Sequence, residues 1–170
     1  MRLEEAIAAL RAMPAAVEER VVGLSEAQLR FKPRTDVFSV LESVCHLRDI
    51  EVEGYARRLR LLLETEQPRL TDLDGTALAR ERGYDRQAFA PALETFLISR
   101  RGNLQRLRSV TELDLGRSGH MEGVGEVSLD RLLELWVEHD RGHLQELDDL
   151  LCVLREPARA AKPSLSLAAR

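Results

Sequence analysis

The clearest hydrophobic pattern lies near the C-terminus, where apolar residues recur every three or four positions. That spacing places them on one stripe of an α-helix that packs against a core. The stripe consists of Leu129, Leu132, Leu133, Trp136, Leu147, Leu150, Leu151 and Leu154. Ser128 precedes it and is a favoured N-cap residue. The pattern predicts a fourth helix capped by Ser128 and extending through about Leu154.

Three further helical segments precede this one. The first runs from Leu3 to Val22, and Pro14 in its middle is expected to kink or divide it. The second runs from Ser39 to about Glu66, because Ser39 and Glu42 have the spacing of a capping box. The third, capped by Asp85, extends to about Ser109. Leu, Ala, Glu and Arg predominate throughout, as expected for helices.

The connections complete the predicted architecture. Residues 67–84 form a long polar connection with no element of more than about two turns, and a Gly-rich segment precedes the fourth helix. The tail Glu156–Arg170 is rich in Ala, Ser and Pro and is expected to be mobile. We therefore expect an all-α protein in which residues 1–154 form one four-helix bundle, with a long connection between helices 2 and 3.

The stripe of the fourth helix has a gap in its middle, filled by His139, Asp140 and His143. Both imidazoles should point into the bundle about one turn apart. Burying two imidazoles costs free energy unless each finds a partner, and a divalent cation would satisfy both. The pair could also be ordinary core histidines, since the sequence HDRGH lacks the glutamate of an HExxH motif.

The second helix offers a third histidine. His46 lies off the main apolar face, so periodicity leaves it as either a partly exposed residue or a ligand. It would be buried if this helix packed on more than one side, for instance against a second subunit. Asp49 and Asp140 are candidates to accept an imidazole N–H, whereas Glu53 is assigned to a solvated face. His120, in the Gly-rich segment, is expected to be solvated.

Charge and cysteine content narrow the function classes. A net charge of −4 and a pI near 5.7 provide no basic surface for nucleic acid. Cys45 and Cys152 form no metal or redox motif and are interpreted as buried thiols. The acidic start MRLEEAIAAL does not resemble a signal peptide, and no segment is long enough to span a membrane. A cytoplasmic protein without a nucleic-acid or membrane partner is expected.

Three segments resemble the DinB-like superfamily, also called the DinB/YfiT-like metalloenzymes. They are FSVLESVCHLRDIE at 38–51, GEVSLDRLLELW at 125–136 and EHDRGHLQEL at 138–147. Phe38 stands where the family often has Trp. The resemblance implies an up-down-down-up bundle with a divalent metal held by His46, His139 and His143. It also implies a homodimer, and several relatives are transferases that use bacillithiol, mycothiol or a related low-molecular-weight thiol.

Three histidines leave open positions on a metal, as in catalytic sites. The leading hypothesis is a thiol-dependent S-transferase acting on small electrophiles. The alternatives are a metal-dependent hydrolase, with Asp49 or Glu53 as base, and a non-catalytic metal-binding bundle acting in stress response or interaction. Imidazole ligands suit Zn, Ni, Cu and Fe alike. Zn and Ni are favoured as the ion, and Mn and Fe are the further candidates. The substrate is expected to be a small molecule.

Overall fold

A computed structural model describes residues 2–155, so the predicted mobile tail lies outside the described residues. The helices are α1 Leu3–Val21, α2 Glu26–Leu29, α3 Val40–Asp49, α4 Ala56–Glu64, α5 Gly75–Arg82, α6 Phe89–Leu107 and α7 Leu129–Arg155. A π-helical segment, Ile50–Tyr55, joins α3 to α4, so these three pieces form one long second helix. Short 3₁₀ turns cover Tyr84–Arg86 and Asp114–Gly116, and the strands are β1 Arg69–Leu70, β2 Ser118–Met121 and β3 Gly125–Ser128.

The four long helices run up, down, down and up, as the resemblance implied. Strand β1, just after α4, pairs parallel with β2, which follows α6. Strand β2 pairs antiparallel with β3, which leads directly into α7. The second and third long helices therefore end where α7 begins. At the other end, Arg20 near the end of α1 pairs with Asp148 near the end of α7.

The capping predictions hold at two helices and fail at one. Ser39 N–H donates to Glu42 Oε2 at 2.7 Å, and Ser39 Oγ accepts from Glu42 N–H at 3.2 Å. Ser128 Oγ accepts from the N–H of Arg131 at 3.1 Å. Asp85, in contrast, lies in a 3₁₀ turn, and α6 begins at Phe89. The predicted cap at Asp85 is wrong because the left-handed Gly83 and the following turn take up those residues.

Pro14 lies inside an unbroken α1, so the predicted division of this helix is wrong. A proline lacks the N–H that would bind the carbonyl four residues earlier, here that of Leu10. Arg100 Nη1 donates to this Leu10 carbonyl at 3.0 Å from the facing helix α6. A buried arginine thus supplies the hydrogen bond that the proline cannot make.

The Gly-rich segment forms the hairpin β2–β3, and with β1 it makes a small three-stranded sheet that periodicity did not predict. The second helix is indeed buried on more than one side, yet its own chain covers it. Leu47 is 1% exposed and Ile50 is 6% exposed. These burials need no second subunit, and the homodimer stays a prediction. Within residues 2–155, no helix is long and apolar enough to cross a membrane.

The core consists of two hydrophobic clusters separated by a polar layer. One cluster joins the start of α1, the later half of the second helix, and the first half of α7. The other joins the end of α1, α3, the start of α6 and the second half of α7. Between them, beside the gap in the α7 stripe, lie buried polar residues that include Glu51, Arg100 and Asp140. The candidate site belongs to this layer.

Candidate metal centre

The three predicted ligand histidines meet in the polar layer. His46 projects from α3, and His139 and His143 project from α7 one turn apart. Their candidate ligand nitrogens all lie within 4.8 Å of one another. The Nε2 atoms of His46 and His139 are 3.2 Å apart. His120 lies apart, exposed on β2 opposite Glu126.

The geometry of this cluster fits a bound cation. Two imidazole nitrogens on one tetrahedral zinc ion, each about 2.05 Å from the metal, would lie about 3.3 Å apart. The observed separation of 3.2 Å between the two Nε2 atoms is close to that value. The other ring nitrogens, Nδ1 of His46 and Nδ1 of His139, are buried and have no hydrogen-bond partner among the described residues. A cation bound between the two Nε2 atoms would leave the ring proton of each imidazole on its Nδ1.

Electrostatics keep the cluster in the form that binds metal. Burial, followed by the adjacent rings of His143 and His139, lowers the pKa of His46 to about 3. Burial also lowers the pKa of His139. Both imidazoles are therefore neutral near pH 7, and a neutral imidazole has the lone pair that ligation requires.

Glu146 is a site residue that the sequence interpretation missed. Its Oε2 lies 2.7 Å from Nδ1 of His143, and its side chain is 63% exposed. This contact assigns the proton of His143 to Nδ1 and leaves Nε2 free for a metal. The sequence does contain an indication of this contact, because His143 and Glu146 are three residues apart on one helix and therefore lie on the same side of it.

The carboxylates proposed as bases from sequence have other partners. Asp49 accepts from Arg48 at 2.6 Å and from the Tyr84 hydroxyl at 2.7 Å. Although burial raises it, these two hydrogen bonds hold the pKa of Asp49 below its ordinary value. Glu53 accepts two hydrogen bonds from Arg82, as expected for a solvated face. Neither carboxylate hydrogen-bonds to a histidine, so the predicted role of Asp49 as an imidazole partner is wrong.

A cleft of about 310 Å³ lies beside the histidines. Two of its lining residues also lie next to the histidines. The centroid of the Phe38 ring is 5.6 Å from that of the His46 ring, and Glu146 contacts His143. The lining residues are Pro33, Asp36, Val37, Phe38, Ser43, Glu146, Asp149, Leu150 and Val153. Among residues 2–155, the lining thus combines apolar side chains with three carboxylates and includes no Arg or Lys. It suits a small neutral or cationic molecule with an apolar part.

Gly75, the first residue of α5, packs directly on the His46 ring. A Cβ atom at this position would lie 2.3 Å from Cε1 and 2.6 Å from Nδ1 of His46. We expect Gly75→Ala to displace this ring and to weaken Zn²⁺ binding on the order of tenfold, as for other changes in ligand orientation. Isothermal titration of the metal-free protein with Zn²⁺ measures the effect.

Gly102→Ala provides the control for Gly75→Ala, because a Cβ at this position in α6 meets nothing within 4 Å. It should leave Zn²⁺ affinity unchanged and stabilise the protein by about 0.5–1 kcal/mol, since alanine favours a helix over glycine. Equal Zn²⁺ affinities for both variants would show that Gly75 does not constrain His46.

Fold and site together define a class: a four-helix bundle in which the second and fourth long helices, through α3 and α7, direct three histidines to one point. The DinB superfamily sequence model matches residues 9–147, and the chain belongs to this superfamily. Among solved structures it is similar to YfiT from Bacillus subtilis, with a TM-score of 0.82 and 21% sequence identity. The match covers 90% of this chain and 87% of YfiT, which is described as a probable metal-dependent hydrolase with an unusual four-helix bundle topology. No curated protein matches the chain.

Proposed function

We propose that this protein is a divalent-metal-dependent hydrolase of small molecules, with the ion held by His46, His139 and His143. One observation carries the proposal: three imidazoles converge with their ligand nitrogens within 4.8 Å, and within residues 2–155 the group contains no fourth protein ligand. Three-histidine sites with an open position are typical of catalytic zinc, whereas structural zinc has four protein ligands. The description of YfiT as a probable metal-dependent hydrolase supports the same class.

The cation and the carboxylate of Glu146 would have different roles at this site. A divalent cation, when bound, supplies a Lewis acid that lowers the pKa of water to about 7. Glu146 holds the Nδ1 proton of His143 and so fixes the ring for ligation. The hydrogen bond to His143 keeps the pKa of Glu146 below its ordinary value. This carboxylate is thus ionised near neutral pH, lines the cleft, and can accept a proton from an attacking water.

The composition of the cleft favours hydrolysis over thiol transfer. A bacillithiol- or mycothiol-type cofactor with carboxylates would need cationic partners near the site, and the sequence offered many arginines for that role. Within the described part of the chain, residues 2–155, none of them lines the cleft, and Arg34 nearby pairs with Asp36. An anionic cofactor would therefore meet carboxylates of its own sign. We place the thiol-dependent S-transferase second for this reason.

Metal content tests the site. Elemental analysis of the purified wild-type protein should find about one divalent ion per chain after incubation with Zn²⁺ or Ni²⁺ and removal of excess ion. His143→Ala removes one of three ligands and should retain much less. Equal metal content in the two proteins would contradict the proposed site.

Turnover tests the reaction class. We expect the Zn²⁺- or Ni²⁺-loaded protein to hydrolyse members of a panel of small neutral and cationic esters and amides, and a chelator to abolish this activity. Added low-molecular-weight thiol should not be required. Activity on electrophiles only in the presence of thiol would establish the transferase instead. A metal-loaded protein inactive in every assay would indicate a non-catalytic metal-binding bundle.

Glu146→Gln should weaken Zn²⁺ binding by about 10–100-fold, the usual effect of losing a carboxylate that orients a ligating histidine. Asp149→Asn is the matched control, because Asp149 lines the same cleft but bonds to Gln145 and not to a histidine. Competition with a fluorescent zinc chelator measures both affinities. The assignment of Glu146 is wrong if the two variants bind Zn²⁺ equally well.

A further inference from the structure

Beneath the histidines lies a buried group of polar side chains, three of them charged, here called the Arg100 cluster: Glu51, Arg100, Asn103, Trp136 and Asp140. Arg100 and Glu51 are each 1% exposed, and Asp140 is 5% exposed. Arg100 donates to both carboxylates: to Glu51 at 2.9 and 2.8 Å, and to Asp140 at 2.6 and 3.0 Å. The cluster ties the second helix, α6 and α7 together at mid-height in the bundle.

The two carboxylates differ in how fully they are satisfied. Besides Arg100, Glu51 accepts from Asn103 Nδ2 at 2.8 Å and from Trp136 Nε1 at 3.2 Å. Asp140 accepts hydrogen bonds only from Arg100 among the described residues. A carboxylate can accept about four hydrogen bonds. Asp140 therefore has unused capacity, and Nδ1 of His139 lies 3.7 Å from its Oδ1.

That nitrogen of His139 is itself a buried atom without a hydrogen-bond partner. Its distance from Asp140 exceeds a hydrogen bond by about 0.5 Å. An acceptor with spare capacity and an unpartnered nitrogen thus face each other across a short gap. Ligation of a cation through Nε2 would place the proton of His139 on Nδ1 and polarise it, which strengthens its attraction to the carboxylate.

The position of Glu51 explains how Arg100 is held. Glu51 belongs to the π-helical segment Ile50–Tyr55, a kind of local distortion that is common at functional sites. From the same segment, Tyr55 stacks on Trp136 with ring centroids 4.7 Å apart. The π-helical segment therefore places Glu51 against the guanidinium of Arg100 and Tyr55 against the ring of Trp136.

We propose that Asp140 is a positioning residue for the metal centre: fixed by Arg100, which Glu51 anchors, it accepts a hydrogen bond from the Nδ1–H of His139 and so leaves Nε2 for the cation. The inference rests on the proposed metal site. It assigns the buried ion cluster to metal binding as well as to folding, and it makes α6, which contributes no ligand, part of the centre through Arg100.

Zn²⁺ titration of metal-free protein tests the assignment. Asp140→Asn should lower Zn²⁺ affinity by about 10–100-fold. Asp49→Asn is the matched control, since Asp49 is equally buried and paired with an arginine but bonds to no histidine. It should change the affinity less than about threefold. Unchanged affinity in Asp140→Asn, or equal losses in both variants, overturns the proposal.

A second measurement uses only the wild-type protein and so does not depend on the folding of a variant. Long-range ¹H–¹⁵N correlation spectra of the Zn²⁺-loaded protein report which ring nitrogen carries the proton. His139 should show a protonated Nδ1 whose proton exchanges slowly with water, because it is buried and bound to Asp140. Coordination through Nδ1 overturns the proposal. If the wild-type protein binds no Zn²⁺ at all, the proposed metal site fails first, and the positioning role falls with it.

Discussion

His46→Ala is expected to lower Zn²⁺ affinity on the order of 10³-fold. The estimate follows from a binding free energy of about 10–16 kcal/mol for zinc sites, of which one ligand in three supplies roughly 4 kcal/mol. His46 is the only ligand that the second helix contributes, so its loss leaves just the two histidines of α7. Isothermal titration of metal-free protein with Zn²⁺ measures the loss directly.

The same substitution should weaken metal-induced stabilisation. A ligand that binds only the folded state raises the melting temperature with its concentration, so the wild-type protein should melt higher as Zn²⁺ is added, and His46→Ala should need about 10³-fold more Zn²⁺ for the same rise. His120→Ala is the control, because it also removes a histidine but one exposed on β2, outside the cluster. It should behave as wild type. A loss of Zn²⁺ affinity in His120→Ala, or wild-type affinity in His46→Ala, would show that the ion binds elsewhere.

The helical frame was predictable because each long helix has a local signal. The stripe on α7 and the capping box at Ser39 depend only on neighbouring residues, and both predictions are confirmed. The unbroken α1 depends on Arg100, which lies 90 residues from the carbonyl that it binds. The small sheet likewise joins β1 to β2 across about 50 residues. No local pattern contains such contacts.

The candidate site divides in the same way. The gap in the α7 stripe predicted that His139 and His143 point inward, since helical geometry alone fixes that. His46 required the resemblance, because its burial comes from contacts on a second side of its helix. The partner of His143 was visible as the spacing to Glu146. Glu51 and Arg100 look like ordinary surface charges in a helical sequence, and only the packing of the second helix, α6 and α7 shows that they are buried together.

Among changes in the polar layer, Arg100→Met is expected to lower the stability of the folded protein most. Removal of this guanidinium leaves two carboxylates and the Leu10 carbonyl in the core without their partner. Breaking a buried ion pair on one side costs about 3–5 kcal/mol. In a chain of this size the melting temperature should therefore fall by about 10 °C or more. Calorimetry or thermal melts of the metal-free protein would measure the change.

Arg20→Met is a close control for Arg100→Met. Arg20 also donates twice to one carboxylate, that of Asp148, and once to a carbonyl, that of Ala16, but it does so near the surface. Its loss should cost less than about 1 kcal/mol. Equal losses in the two variants would show that burial is not the reason for the effect.

Removing all three charges of the cluster together distinguishes the destabilisation caused by unpaired charge from the destabilisation caused by lost packing. In the triple variant Glu51→Gln, Arg100→Met, Asp140→Asn no ionised group remains in the cluster, so the cost of burying an unpaired charge is removed. We therefore expect the triple variant to be more stable than Arg100→Met alone, while Zn²⁺ binding stays weak because His139 has lost its partner. If the triple variant is no more stable than the single one, the loss comes from packing and the unmet Leu10 carbonyl instead of unpaired charge.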